Sequence, residues 1–205
     1  AAGELKTKPT QHSVKELQSL GIQPDIIVLR AEHDLNQSLR MKVASVCNVD
    51  RDCVVQSIDL PSIYEVPVKM QEQALDIAIL RKLNMAIGPT PSLGPWKEFL
   101  ELRRKATEIL HIGLVGKYDL QDAYKSILES LQHAGTYNGF KVKSHFINSE
   151  NLTDENVAEQ LKDMAGVVIC PGFGQRGIEG KIVAAKYCRE NDIPTFGICL
   201  GMQMM

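Results

Sequence analysis

A cysteine between two glycines near the end of the sequence has the spacing of a catalytic nucleophile. Residues 197–201 read Gly-Ile-Cys-Leu-Gly, with Cys199 at the centre. The apolar run before Cys199 and the helix-like segment after it predict a parallel strand that turns sharply into a helix. A helix N-terminus favours the thiolate, and the N–H of Leu200 would point towards a developing oxyanion. The alternative interpretation is a buried structural cysteine in an ordinary strand-to-helix turn.

A glycine-rich turn precedes this cysteine and follows the previous predicted strand. Residues 171–177 read Pro-Gly-Phe-Gly-Gln-Arg-Gly. Because the carboxyl ends of neighbouring parallel strands meet at one edge of a sheet, we expect this turn beside Cys199, where an oxyanion hole would be assembled. Arg176 in the turn has two interpretations, a phosphate or nucleotide contact and a salt-bridging loop residue.

The elements that would position these turns alternate between helix and strand. Residues 87–95 contain three prolines and two glycines and predict a linker. We therefore expect an α/β fold of two doubly wound parallel-sheet domains, both incomplete, joined by this Pro/Gly linker and a helix. The expected boundaries are 1–84, 85–108 for the linker and helix, and 109–205. The predicted helices are 11–20, 36–47, 66–83, 96–107, 122–133, 151–164 and 180–190, and the predicted strands are 25–30, 53–56, 109–116, 140–147, 167–170 and 193–198.

Composition limits the classes of function. The chain has 205 residues, 44% of them hydrophobic and 23% charged, with a net charge of −2. These values indicate a globular protein without a general affinity for nucleic acid or membrane. Five scattered cysteines without a CxxC pair, and histidines without ligand spacing, predict no metal site in this chain and a reducing, cytoplasmic location. The first six residues contain neither a start methionine nor a signal core, so we expect a chain cut or incomplete at its beginning.

Four groups of residues, two of which overlap the turns described above, carry a resemblance to a known family. Residues 197–203, 113–118 with 122–126, 173–180, and 6–17 with 21–25 are similar to those of CTP synthase. The segment 197–203 by itself indicates a class I glutamine amidotransferase, and residues 6–11 together with the linker narrow the resemblance to CTP synthase. The similarity runs through essentially the whole sequence.

The resemblance implies an ATP-dependent ligase that converts UTP to CTP. ATP phosphorylates the uracil O4, and ammonia released from L-glutamine displaces the phosphate. The family also implies Mg²⁺ as a cofactor, GTP as an allosteric activator, CTP as product and feedback inhibitor, and a homotetramer. It implies neither a nucleic acid nor a membrane partner.

The resemblance also implies roles for individual residues. Cys199 matches the nucleophile that forms a glutamyl thioester. The glutamine and oxyanion positions are Gly172, Leu200, Gly201, Met202 and Gln203. The UTP and CTP positions are Lys6, Thr7, Lys8, Pro9, Thr10, Gln11 and Lys42, and Ile58, Asp59 and Leu60 match a stretch near the ATP adenine. Several lysines suit a triphosphate, although a solvated surface is the simpler reading of Lys6, Lys8 and Lys42 without the resemblance.

Two departures from the family qualify these expectations. Pro171 stands where the family has a glycine, and proline has no N–H to donate to an oxyanion. The family's activating histidine and glutamate lie beyond residue 205, and its phosphate loop and magnesium ligands lie before residue 1. We therefore expect this chain by itself to be an inactive fragment of the enzyme. The alternatives are a non-catalytic nucleotide-binding or oligomer-partner remnant, and another class I glutamine amidotransferase such as GMP synthetase.

Overall fold

The computed structural model describes residues 6–118 and 121–205, and it divides into two compact units. The first unit is Ala1–Lys97 and the second is Glu98–Met205. The first five residues of the predicted domain 1–84 lie outside the described residues. Within the described part of the chain, each helix is too short or too polar to span a bilayer.

The first unit packs helices against a two-stranded parallel sheet. Its elements are α1 (Lys8–Ser19), β1 (Ile27–Ala31), α2 (Gln37–Cys47), β2 (Val54–Ile58), α3 (Val66–Glu72) and α4 (Leu75–Lys82). Strands β1 and β2 are parallel, with Ile27 opposite Val54. The core joins Val14 of α1 to Val43, Ala44 and Cys47 of α2 beneath the strands.

One expectation for this unit was wrong. The predicted helix 66–83 is two helices, because Ala74 between them has a left-handed backbone with φ 56°. On α2, Val46 is 46% exposed. The buried face of α2 is formed instead by Val43 and Cys47, one helical turn apart, together with Ala44.

The second unit is a four-stranded parallel sheet with helices on both faces, which confirms the doubly wound class. It follows α5 (Gly94–Lys105), which begins in the first unit. Its elements are β3 (Glu108–Gly116), α6 (Lys125–Tyr137), β4 (Phe140–Asn148), α7 (Val157–Leu161), β5 (Gly166–Ile169), α8 (Ile178–Glu190), β6 (Thr195–Gly197) and α9 (Leu200–Gln203). The strand order is β4-β3-β5-β6.

Alternate residues of these strands enter two separate cores, as the period of two in a strand requires. Val115 and Ile169 pack with Ala184 and Cys188 of α8 on one face. Leu114, Val168 and the partly buried side chains of α6 form the other core. Those side chains are Ile127, Leu128 and Leu131, whose helical spacing places them on one face of α6.

The predicted helix 151–164 was wrong, because only α7 is helical there. Asn156 instead ties residues 151–156 into turns. Its Oδ1 accepts from the Thr153 N–H at 2.9 Å, and its Nδ2 donates to the Asn151 carbonyl at 2.8 Å. Such side-chain bonds offer the backbone an alternative to the helix.

Candidate active site at the carboxyl edge of the second sheet

Cys199 lies on the sharp turn between β6 and α9. Its backbone angles are φ 54° and ψ −115°. A positive φ is unfavourable for a side chain with a Cβ, and such conformations cluster at functional sites. Cys199 is exposed, whereas Cys47, Cys53, Cys170 and Cys188 are buried. The expected strand–turn–helix is therefore confirmed, and the turn presents one thiol to solvent.

The two glycines around Cys199 are required by the return of α9 across the sheet. A Cβ on Gly201 would lie 1.9 Å from the carbonyl oxygen of Ile169. A Cβ on Gly197 would lie 2.6 Å from the Cα of Met202. No side chain fits at either distance, so the helix can approach strands β5 and β6 only with glycine at these positions.

The loop after β5 lies directly beside the elbow. Gly172 is buried, and a Cβ placed on it would lie 3.8 Å from the Leu200 side chain. The Ile198 N–H donates to the Ile169 carbonyl at 3.0 Å, which ties the elbow to the end of β5. The structure thus brings Gly172 and Leu200 together beside Cys199, although Gly172 lies in the turn after β5 and Leu200 in the turn after β6.

Two lysines beneath this loop belong to the candidate site and were not predicted from the sequence. Lys181 of α8 is fully buried, and its Nζ donates to the Cys170 carbonyl at 2.7 Å. Lys117, which follows β3 and is also buried, donates to the Phe173 carbonyl. The sequence contains one signal of this burial, because Lys181 directly precedes the apolar run Ile-Val-Ala-Ala. A buried lysine is unusual, since lysine is mostly exposed in proteins.

Burial shapes the ionisation of the groups beneath the loop. Burial lowers the pKa of Lys181, because the charged ammonium loses its hydration. Burial raises the pKa of the Cys170 thiol to about 12, so Cys170 stays a neutral core residue.

Arg176 forms an ion pair, which agrees with one of its two interpretations, a salt-bridging loop residue. Its Nη1 lies 3.4 Å from a carboxylate oxygen of Glu150.

Comparison with known sequences identifies both units. The family model described as "CTP synthase N-terminus" matches residues 1–85, and that described as "Glutamine amidotransferase class-I" matches residues 119–205. A CTP synthase of Bacteroides thetaiotaomicron is 70% identical over 99% of this chain, and one of Porphyromonas gingivalis is 60% identical over all of it. The chain belongs to the CTP synthase family. It spans 38% of the length of these two relatives.

A solved structure is also similar to part of this CTP synthase chain. It is described as the Trypanosoma brucei CTPS glutaminase domain with bound acivicin. The two sequences are 37% identical, and the match covers 46% of this chain and 38% of the other, with a TM-score of 0.43. The match to the CTP synthase N-terminus disfavours the alternative of another class I amidotransferase.

The residues that the CTP synthase resemblance assigns to UTP lie at the start of α1 and on α2. Lys8 is the first residue of α1, and Thr7 precedes it as the N-cap. The Thr7 hydroxyl accepts from the Gln11 amide at 3.0 Å. Lys42 is exposed on α2, the helix that shares the Val14 core with α1. The remaining members of the set are Lys6, Pro9 and Thr10, of which Lys6 and Pro9 are exposed and Thr10 is partly buried.

The residues assigned to ATP lie where β2 ends. Ile58 and Leu60 line a cavity of about 150 Å³, together with Asp34 and Gln56. Asp59, between them, forms an ion pair with Arg30. Asp59 therefore has a structural partner, and its neighbours form the cavity wall.

One group of potential metal ligands occurs among the described residues, and it does not fit Mg²⁺. It consists of Asp50, Asp52 and the buried Cys53. Mg²⁺ prefers oxygen ligands, whereas here the carboxylates are paired with Lys82 and Arg81 and the third group is a thiol. We assign no step to a metal held by this chain.

Proposed function

We propose that this chain supplies the glutamine-hydrolysing nucleophile and part of the nucleotide site of a CTP synthase. The observation that carries the proposal is the exposed Cys199 on its strained turn, beside the buried Gly172. Because the chain spans 38% of its relatives' length, the activity proposed is that of the whole protein.

The proposed chemistry at Cys199 proceeds in two steps. The thiolate attacks the side-chain carbonyl carbon of glutamine, a C–S bond forms, and the C–N bond breaks as ammonia leaves with an added proton. Water then attacks the thioester, which releases glutamate and regenerates the thiol. The histidine and glutamate that the family uses for the proton transfers are implied by the resemblance and match no residue of this chain.

The oxyanion of each tetrahedral intermediate needs fixed donors. We assign these to the backbone N–H groups of Gly172 and Leu200, whose residues lie side by side. Pro171 has no N–H, so it cannot take this part. Gly201, Met202 and Gln203 complete the proposed glutamine segment. Loss of one oxyanion donor typically lowers kcat by about 10²–10³.

The first unit would bind the nucleotide substrates. Lys6, Lys8 and Lys42 are cations suited to the triphosphate of UTP or CTP, and Thr7, Thr10 and Gln11 add hydrogen-bonding groups beside Pro9. Ile58 and Leu60 would border the ATP adenine, with Asp59 held by Arg30. Activation by GTP and a homotetramer are further parts of this proposal that rest on the family alone.

The test is CTP formation from UTP and ATP by the whole protein, with glutamine or ammonium as nitrogen donor. Cys199→Ala removes the nucleophile, so we expect glutamine-dependent formation to be lost and ammonium-dependent formation to continue. Cys188→Ala, which removes a buried thiol from the core, is the matched control and should keep both activities. Retention of glutamine-dependent activity by Cys199→Ala would refute the assigned nucleophile, and failure of the wild-type protein with both donors would refute the reaction.

A further inference from the structure

Lys117 and Lys181 reach the same loop from different elements. Lys181 rises from α8, and Lys117 follows β3. A Cβ on Gly172 would lie 3.3 Å from the Lys117 Cε and 3.5 Å from the Lys181 Nζ. Both side chains therefore touch the backbone position that we assign to the oxyanion hole.

Each lysine fixes one peptide group of the loop. Lys181 binds the carbonyl oxygen of Cys170 and Lys117 binds that of Phe173, so the two bonded carbonyls enclose Pro171 and Gly172. A carbonyl and the N–H of the same trans peptide point in opposite directions. The Cys170 carbonyl belongs to the peptide of Pro171, which has no N–H, and the Phe173 carbonyl belongs to that of Gly174. The two bonds therefore anchor the loop on either side of the Gly172 N–H, the proposed donor.

The charge of Lys181 has no carboxylate partner among the described residues. The ionisable groups that act on it are Cys170 on the same loop, Lys117, and Cys199 across the site. Lys117 has a second contact, with its Nζ 5.3 Å from the centre of the Tyr118 ring. A buried cation normally requires a paired anion, because its desolvation is costly. The Cβ position of Gly172 lies 3.5 Å from the Lys181 Nζ and 3.8 Å from the Leu200 side chain, which places the ammonium beside the elbow that carries Cys199.

We propose that Lys181 and Lys117 are positioning residues of the glutamine site, which orient the 171–174 loop through its carbonyls and offset negative charge at Cys199. This inference rests on the proposed function of Cys199. The cost of burying Lys181 is then offset when the thiolate or the oxyanion forms, since both carry negative charge in a site of low dielectric constant.

The first experiment compares Lys181→Met with Lys186→Met in the whole protein. Methionine has a similar length to lysine and lacks the ammonium. Lys186 lies on the same helix, is exposed, and has its Nζ 3.3 Å from a carboxylate oxygen of Asp154, so it is the matched control. We expect Lys181→Met to lower kcat for glutamine hydrolysis on the order of 100-fold with a smaller change in KM. Lys186→Met should match the wild type.

The second measurement separates positioning from a structural role. Among the five cysteines of this chain, iodoacetamide should alkylate Cys199 selectively, because the other four are buried. In Lys181→Met we expect the rate of alkylation by anionic iodoacetate to fall relative to that by neutral iodoacetamide, since the positive charge beside the elbow is lost. The groups that surround Lys181 (Cys170, Lys117 and Cys199) remain in this variant. A kcat for glutamine hydrolysis within threefold of the wild type, or an unchanged ratio of the two alkylation rates, would overturn the proposal.

A second variant and a folding control complete the test. If Lys181→Met fails to fold, Lys117→Met probes the same loop from another element, and the same loss in glutamine kcat is expected. Ammonium-dependent CTP formation reports whether each variant is folded. Failure of the proposed function is recognised separately, because it would appear as glutamine-dependent activity in Cys199→Ala.

Discussion

At the scale of the residue, the position of Cys199 depends on the two glycines that flank its turn. Its strained turn is possible because α9 crosses the sheet over Gly201 and packs against Gly197. The sequence predicted this turn, because the spacing of the two glycines around the cysteine reflects that crossing. Lys117 and Lys181 could not be predicted, since the contact joins residues far apart in sequence and lysines are rarely buried.

Gly201→Ala tests the close approach of α9 to the sheet. The added Cβ would meet the Ile169 carbonyl oxygen at 1.9 Å, so the helix must shift. We expect the free energy of unfolding to fall by about 3 kcal/mol or more, measured by urea denaturation with circular dichroism. The control is Gly88→Ala, where a Cβ meets no atom within 4 Å and the change should stay below about 0.5 kcal/mol. A loss below about 1 kcal/mol in Gly201→Ala would contradict the packing described.

At the scale of the element, strands were predicted better than helices. In the second sheet, β3 and β5 are largely apolar, whereas β4 alternates apolar and polar residues as Phe-Lys-Val-Lys, and all four strands exist near their predicted positions. The helix 66–83 was wrong because nothing in the sequence marks Ala74 as left-handed. The helix 151–164 was wrong because the bonds made by Asn156 compete with helical ones.

A histidine pair joins β3 to β4 and gives the second sheet a pH dependence. The His111 Nδ1 lies 2.7 Å from the His145 Nε2, and the two rings are stacked with centroids 5.0 Å apart. One nitrogen must accept the shared proton, so at least one ring of the pair is neutral. Burial, then the neighbouring His111 and Lys143, lower the pKa of His145 below its usual 6.5.

The sign of the effect follows from that direction. The unfolded chain binds the proton of His145 at a higher pH than the folded chain does. Its contribution to stability is therefore complete above pH 6.5 and is lost as the pH falls through the lower, folded value. We expect His145→Gln to lose less stability than the wild type between about pH 7.5 and about pH 5, measured by urea denaturation.

The control for this prediction is His12→Gln, since His12 is exposed on α1 in the first unit. It should keep the pH dependence of the wild type. An equally steep loss of stability in His145→Gln would show that the histidine pair does not carry the effect.

At the scale of the whole molecule, the two units contain different parts of the proposed reaction. The residues proposed to bind nucleotides lie in the unit Ala1–Lys97, and the cysteine elbow lies in the unit Glu98–Met205. The two family models match the same two parts of the chain. The resemblance in sequence predicts this division of function. The contacts of Lys117 and Lys181 with the loop beside the elbow are evident only from the structure.

Covalent labelling of the whole protein with a diazoketone analogue of glutamine tests the central claim most directly. The analogue places an electrophilic carbon beside the position of the glutamine carbonyl, so it should alkylate the nucleophile of that site. Peptide mass spectrometry should then find the adduct on Cys199 and on none of the four buried cysteines, and added glutamine should slow its formation. An adduct on another residue, or labelling of Cys199 that glutamine does not slow, would contradict the account.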